Sequence, residues 1–219
     1  MIQLHYYPSN ASMAPHILLE ELGVPFELQY VDRNQGAHKS AEYLRLNPNG
    51  LIPVLVDWRN GSELVLYETV AILLHLCDTH ADAALAPKLG TSERAQFYKW
   101  LIWMTNTLQS ALIAYYYPER WVDEGNTDGV AQVQAHAEAK IGPMLDQLDA
   151  QLASHGTDWL LGERFSAADP LAFMLCRWTR GFARPARSLP HLGPYLQRML
   201  ARPAVQRMLA TEKLPQPWV

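Results

Sequence analysis

Apolar and polar positions follow two rhythms along this chain, and the change between them predicts its organisation. Ile2 to Tyr7 is short, rich in strand formers, and stops at Pro8. From Ser12 to Leu22 the apolar residues Ile17, Leu18 and Leu22 recur at helical spacing, and Gly23 closes the run. Phe26 to Val31 reads as a second strand. Ser40 to Leu46 makes two helical turns before Asn47-Pro48-Asn49-Gly50, a strong turn cluster. Val54 to Asp57 and Glu63 to Leu66 flank Trp58-Arg59-Asn60-Gly61, whose Asn-Gly marks a hairpin. Glu68 to Cys77 returns to helical spacing. The order predicts a small α/β domain over residues 1–80.

Residues 81–90 read as a linker, with Pro87 and a closing Gly90. Beyond it the pattern is helical throughout. Thr91 or Ser92 with Glu93 starts a helix, and an aromatic-rich run from Arg94 to Tyr117 ends at Pro118. Residues 128–153 carry Val133, Ile141, Leu145, Leu148 and Leu152 on one stripe. Ser166-Ala167-Ala168-Asp169 is a capping-box pattern before the apolar run Leu171 to Trp178. Shorter helices follow around 191–201 and 203–210. Residues 91–219 are therefore expected to form one all-α domain.

Composition narrows the class. Apolar residues make up 49% of the 219 positions and charged residues 18%, a balance that excludes intrinsic disorder. The net charge of −4 lacks the basic excess of a nucleic-acid binder. No apolar run reaches the ~20 residues needed to span a bilayer, and Met1-Ile2-Gln3-Leu4-His5 lacks the features of a signal peptide. Two cysteines, Cys77 and Cys176, both inside apolar helical patterns, suit a reducing cytoplasm rather than a disulfide framework. The eight histidines show no metal spacing, so no metal is expected.

Candidate chemistry begins at Asn47-Pro-Asn-Gly-Leu-Ile-Pro-Val-Leu55. A proline at the start of a strand can leave the edge beside it unpaired. With a cis Ile52–Pro53 bond, Ile52 would offer its backbone N–H and C=O to an extended ligand. Only ~5–6% of X–Pro bonds are cis, so spacing alone leaves the isomer open. This segment, followed by Tyr67-Glu68-Thr69-Val70-Ala71-Ile72, resembles the glutathione-site signature of the cytosolic glutathione S-transferase superfamily. Gln35-Gly36-Ala37-His38-Lys39-Ser40 is similar to the segment before it in the theta and phi classes. Phe165-Ser166-Ala167-Ala168-Asp169 resembles the superfamily's capping motif in the second domain. The resemblance covers the whole chain in order.

It implies a thioredoxin-like domain followed by an α-helical domain, with glutathione as co-substrate. Ile52 and Pro53 would meet the backbone of the tripeptide. Thr69 would cap its helix and hold the γ-glutamyl carboxylate, with Glu68 beside the ammonium. His38 and Lys39 would meet the glycine carboxylate. Leu51 departs from the glutamine common there in the phi class, which removes one contact. A plain N-cap at Thr69 and a solvated polar turn at Lys39 are the simpler alternatives.

The turn Tyr6-Tyr7-Pro8-Ser9-Asn10-Ala11-Ser12-Met13 decides the chemistry. A free thiol titrates near ~8.5, and lowering it two units needs roughly 2.7 kcal/mol. A helix N-terminus supplies ~0.3–1 kcal/mol, too little alone. A hydroxyl donating to the thiolate adds roughly 1.5–3 kcal/mol, and the sum suffices. Counted back without gaps from Gly23-Val24-Pro25-Phe26, Ser9 falls where theta- and tau-type enzymes place a catalytic serine. Tyr6 falls near the tyrosine of the alpha, mu and pi classes. The local wording is most similar to bacterial beta-class members, which carry a cysteine where this chain has Ala11. Ser9 ranks first, Tyr6 second and Ser12 third, with Asn10 beside them. Each serine could instead be a simple helix cap, and Tyr6 a core residue.

Trp103, Thr107, Ser110, Ala111 and Tyr115 share one helical face and would line the pocket for a small hydrophobic electrophile. One of Tyr115, Tyr116 and Tyr117 must lie exposed or in a pocket, since successive helical residues point about 100° apart. Gln109 stands near a histidine of the beta class. Arg177, Arg180, Arg184 and Arg187 read as a solvated basic face. A homodimer is expected, with apolar Ile72, Leu73, Leu76, Phe97 and Leu101 on the outer helices as a partial motive. The expected activity is glutathione conjugation in detoxification. A glutathione-dependent disulfide reductase or peroxidase would want a cysteine at residues 6–13, where none stands, and a non-catalytic binding module would bind glutathione without conjugating it.

Overall fold

The computed structural model describes residues 1–59 and 61–219. The Asn-Gly turn includes Asn60, which lies outside the described residues. Contacts divide the chain into two compact units. The first comprises Met1–Ala86 with Leu200–Pro215, the second Pro87–Met199 with Gln216–Val219.

The first unit holds strands β1 (Ile2–Tyr6), β2 (Phe26–Tyr30), β3 (Val54–Arg59) and β4 (Ser62–Tyr67) in the order β2-β1-β3-β4. Its helices are α1 (Met13–Leu22), α2 (Ala41–Leu46) and α3 (Thr69–Thr79). β1 runs parallel to β2 and antiparallel to β3, and β3 runs antiparallel to β4. Strand alternation explains the two layers. Val54 and Val56 join Val31, Tyr43 and Ile52 in one apolar cluster under α2. Leu4 and Leu55, paired in register and fully buried, point to the other face, where α1 and α3 pack together. Gly23 ends α1 in the left-handed conformation, and its N–H donates to Leu19 O. Ser40 caps α2, accepting the Tyr43 N–H at 3.1 Å.

A ninth helix belongs to this unit. α9, defined below as Pro203–Thr211, packs on α1 through a face that includes Val205, Met208 and Leu209. The Arg202 guanidinium meets Glu21 at 2.5 and 2.7 Å, and Arg207 pairs with Glu20. Sequence placed all of 91–219 in one helical domain. Leu200–Pro215 groups instead with the first unit, because the apolar face of this helix finds its contacts on α1.

The second unit contains α4 (Ser92–Trp103), α5 (Ser110–Tyr116), α6 (Thr127–His155), α7 (Ala168–Trp178) and most of α8 (Leu192–Ala201), before α9. Thr91 caps α4. The run expected as one helix to Tyr117 is interrupted by a π-helical segment, Met104–Gln109. On α6, Ile141, Leu145, Leu148 and Leu152 are buried, while Val133 near its start is half-exposed. At α7 the Asp169 carboxylate accepts the N–H groups of Leu160 and Ser166 at 2.9 and 2.8 Å and the Tyr195 hydroxyl at 3.0 Å. The Ser166 hydroxyl accepts the Ala168 N–H, while the Asp169 N–H donates to Ser166 O and Ala167 holds the N-cap position, so of the expected capping box only the Asp169 side chain's bond to the Ser166 N–H forms. Burial raises the Asp169 carboxyl to about 6 despite these donors.

Two surface expectations are corrected. Ile72, Leu73, Leu76, Phe97 and Leu101 are all fully buried and form core, so they leave no apolar face for a partner. Arg177 is not on a solvated face: it is 1% exposed, and its Nη1 donates to Trp218 O at 2.6 Å. Arg184 pairs with Asp146, and Arg187 donates to Arg180 O and Val219 O.

Candidate active site

Sheet topology brings the candidate residues of the first unit to one end. His5, Val54 and Tyr67 form one rung across β1, β3 and β4. β1 and β4 therefore end where β3 begins. The turn after β1, the Asn47–Pro53 segment before β3 and Glu68 after β4 lie side by side. β2, parallel to β1, ends there too and leads toward His38 and Lys39.

The Asn47–Pro53 segment is braced from within. Asn47 Nδ2 and the Tyr43 hydroxyl both donate to Leu51 O, at 2.8 and 2.9 Å, and the Asn49 N–H donates to Asn47 Oδ1. Gly50 has φ 59°, and a Cβ there would stand 2.8 Å from His38 O. Only glycine permits this approach, which seats the His38-Lys39 turn on the loop. Lys39 Nζ donates to Asn49 O at 3.1 Å. The Ile52–Pro53 bond is cis. The β3 ladder begins at Val54, so Ile52 lies just outside it.

At α3 the structure reassigns the cap. Glu68, not Thr69, holds the N-cap position, exposed and with φ 73°, and makes no side-chain cap bond. Thr69 is the first helical residue and is buried. Among the described residues its hydroxyl has no hydrogen-bond partner. The first N–H groups of α3 thus lack a side-chain acceptor, and so do those of α1.

The turn before α1 separates its candidate hydroxyls. Ser12 is fully buried; its Oγ donates to Tyr7 O at 3.1 Å and accepts the Tyr7 N–H at 3.3 Å. That hydroxyl is spent on the turn itself, which corrects its candidacy. Tyr6 packs edge-on against His16 and Tyr30, and burial with the nearby Glu212 charge raises its phenol. Asn10 Oδ1 accepts the Ala11 N–H at 2.6 Å. Ser9 is half-exposed with φ 62°, and among the described residues its hydroxyl has no partner. Its N–H donates to Glu212 Oε2 at 3.0 Å. The other Glu212 oxygen pairs with His16 Nδ1 at 2.9 Å, with both side chains fully buried.

Sequence reasoning missed Glu212. It lies 203 positions from Ser9, and no local pattern marks it. The one available signal was His16, a polar side chain on an apolar helical face that needs a buried partner.

In the second unit, Trp103, Thr107, Ala111 and Tyr115 are half-buried and Ser110 is exposed, its hydroxyl donating to Thr105 O. Positions four apart drift about 120° over twelve residues of α-helix. The wider turn at Met104–Gln109 takes up most of that drift, so the four half-buried residues stay aligned. Tyr115 packs on Phe182 at 4.3 Å, and Tyr116 is the exposed tyrosine of the triplet, its hydroxyl donating to Trp178 O. A separate cavity of about 420 Å³ lies on the α2 side of the sheet, lined by His5, Tyr43, Val56 and Trp58 among others; Ser9, Ile52, Glu68 and Thr69 are not among its lining residues. No group of three or more metal-ligating side chains occurs among the described residues.

A four-stranded mixed sheet with flanking helices, followed by an all-helical unit, is the fold of the glutathione S-transferase class. The chain belongs to the glutathione S-transferase family: the family's N-terminal domain matches residues 8–79 and its C-terminal domain residues 76–203. Among its relatives, glutathione S-transferase GST-4.5 of Xanthomonas campestris is 31% identical over 97% of this chain and 100% of its own length. Glutathione S-transferase GstA of Escherichia coli O157:H7 is 29% identical over 97% and 100%. A Sulfitobacter glutathione transferase homologue, crystallised with bound glutathione, superposes with a TM-score of 0.87 at 26% identity, covering 98% of this chain and 99% of its own.

Proposed function

We propose that this chain conjugates the thiolate of glutathione to small hydrophobic electrophiles, with Ser9 as the thiolate's hydrogen-bond donor. The observation that carries the reading is the Ser9 hydroxyl, without an internal partner, at the end of the sheet where two helices start without side-chain caps. Ile52 would pair its backbone with the tripeptide beyond the end of the β3 ladder. The N–H groups at the start of α3, with the Thr69 hydroxyl, would hold the γ-glutamyl carboxylate, and Glu68 its ammonium. His38 and Lys39 would face the glycine carboxylate, and Asn10 would add an amide donor near the sulfur.

Ser9 donates its proton's hydrogen bond more strongly to a thiolate than to a thiol, so it favours the charged form. The sulfur lone pair then forms the C–S bond, and a halide leaves with the bonding pair. Trp103, Thr107, Ser110, Ala111 and Tyr115 are proposed to bind the electrophile. Disulfide-reductase chemistry has less support. Both cysteines are buried thiols outside the turn, and burial pushes Cys176 up to about 12.

We also infer a homodimer, supported by exposed Leu64 on β4 and Ile102 on α4, and residence in the cytoplasm, where both thiols stay reduced. Light scattering at micromolar concentration should give twice the chain mass; a monomer mass removes the dimer. The conjugation assay with a generic aryl halide tests the activity itself. Glutathione binding with no product would favour a carrier role, and turnover of a mixed glutathione disulfide would favour the reductase.

A further inference from the structure

We propose that Glu212 is a positioning residue for Ser9: from the end of the last helix it holds the Ser9 backbone so that the serine hydroxyl faces the glutathione sulfur. The inference rests on the assignment of Ser9 as thiolate donor.

Ser9 occupies the left-handed region with φ 62°, which a side chain-bearing residue adopts only when its surroundings enforce it. The neighbouring bonds hold other parts of the turn. Asn10 N–H donates to Tyr7 O, Ala11 N–H to Asn10 Oδ1, and Ser12 ties itself to Tyr7. The Ser9 N–H alone reaches outside the turn, to Glu212 Oε2 at 3.0 Å.

Glu212 is itself fixed on both sides. The Leu214 N–H donates to Leu209 O and the Lys213 N–H to Ala210 O, with Lys213 at φ 51°, so α9 ends in a Schellman motif that sets the direction of the Glu212 side chain. Arg202 and Arg207 clamp α9 to α1 through Glu21 and Glu20. His16 of α1 takes the second carboxylate oxygen at 2.9 Å. Tyr6 of β1 faces the same charge. The Glu212 side chain is fully buried and held between two defined partners, Ser9 N–H and His16 Nδ1, so the contact is built into the fold.

The geometry separates acceptor from charge. In Glu212→Gln the amide oxygen can still accept the Ser9 N–H, while the amide N–H₂ donates to His16 Nδ1. In Glu212→Met the length and packing remain, and the acceptor is gone. The experiment titrates the ultraviolet absorbance of the enzyme-bound glutathione thiolate in the full-length protein and measures kcat and KM, with circular dichroism as the folding control. Glu212→Met should raise the bound thiol's pKa toward the Ser9→Ala value and lower kcat at neutral pH by about tenfold, with KM for glutathione changed by less than about threefold. Glu212→Gln should recover most of that loss. The double variant Ser9→Ala/Glu212→Met should match Ser9→Ala alone, since Glu212 acts through the serine.

A folded methionine variant with unshifted thiol pKa and kcat overturns the proposal, as does a double variant whose losses multiply. Should Glu212→Met not fold, Glu212→Gln still decides: a thiol pKa raised as far as in Ser9→Ala contradicts an acceptor role. If Ser9→Ala itself produces no shift, the Ser9 assignment fails, and this inference with it. That outcome is distinct, because it is read in a variant with Glu212 intact.

Discussion

The segments before α7 and before α1 both place serines at a helix start and put them to different uses. Before α7, Ser166 and Asp169 bond one another and the donors around them: the N–H groups of Leu160, Ser166 and Ala168 and the Tyr195 hydroxyl all find partners. Before α1, Ser12 is consumed in the same way by Tyr7, but Ser9 keeps its hydroxyl. A closed start stabilises the fold and can do no more. The start before α1 instead leaves the Ser9 hydroxyl for a ligand. The carboxylates differ too: Asp169 serves its own helix, whereas Glu212 reaches from α9 to the turn of another.

The closed start should be the easier to damage. Asp169→Ala leaves the Leu160 and Ser166 N–H groups and the Tyr195 hydroxyl buried without acceptors. Loss of roughly 3–5 kcal/mol is expected in denaturant unfolding, with activity per folded molecule retained. The pH dependence sharpens the contrast. Because burial raises the Asp169 carboxyl to about 6, its protonated form favours folding below the unfolded value of ~3.9, and that stability is lost as pH rises through 6. From pH 5 to 8 the native chain should lose roughly 1–1.5 kcal/mol more than Asp169→Asn, which cannot titrate. Equal losses in the two proteins would place the proton elsewhere.

Smaller effects probe the open end of the sheet. Gly50→Ala puts a methyl 2.8 Å from His38 O at a positive φ and should cost about 1–3 kcal/mol, with weaker glutathione binding read by calorimetry. Ser12→Ala removes two hydrogen bonds to Tyr7 and should cost about 1 kcal/mol in thermal unfolding. Ser9→Gly should be about 1 kcal/mol more stable than Ser9→Ala, since only alanine retains the left-handed strain.

Local pattern carried much of the fold. The strand formers in Ile2–Tyr7 and Val54–Asp57, the helical spacing before Gly23 and the Ser166–Asp169 pairing all depend on residues near one another, so they could be read directly. The cis Ile52–Pro53 bond followed from resemblance, not from spacing. What escaped depends on backbone placement or distant partners. Nothing in Ser9-Asn10-Ala11-Ser12 says which serine turns inward to Tyr7. Glu68 replaces Thr69 as cap because the chain leaves β4 with a positive φ, which no residue type announces. The π segment at Met104–Gln109 has no proline or glycine to mark it. Glu212 and His16 meet only once α9 folds back on α1.

Titration of the enzyme-bound glutathione thiol separates the two serines of this turn. In the native protein the bound thiol should titrate well below the free value of ~8.5. Ser9→Ala should raise it by roughly one to two units, with conjugation at neutral pH falling about ten- to a hundredfold and recovering as pH rises. Ser12→Ala should leave it where it was. A shift in Ser12→Ala with none in Ser9→Ala would show that Ser9 is not the thiolate's donor, and a shift in Tyr6→Phe alone would move the role to the tyrosine.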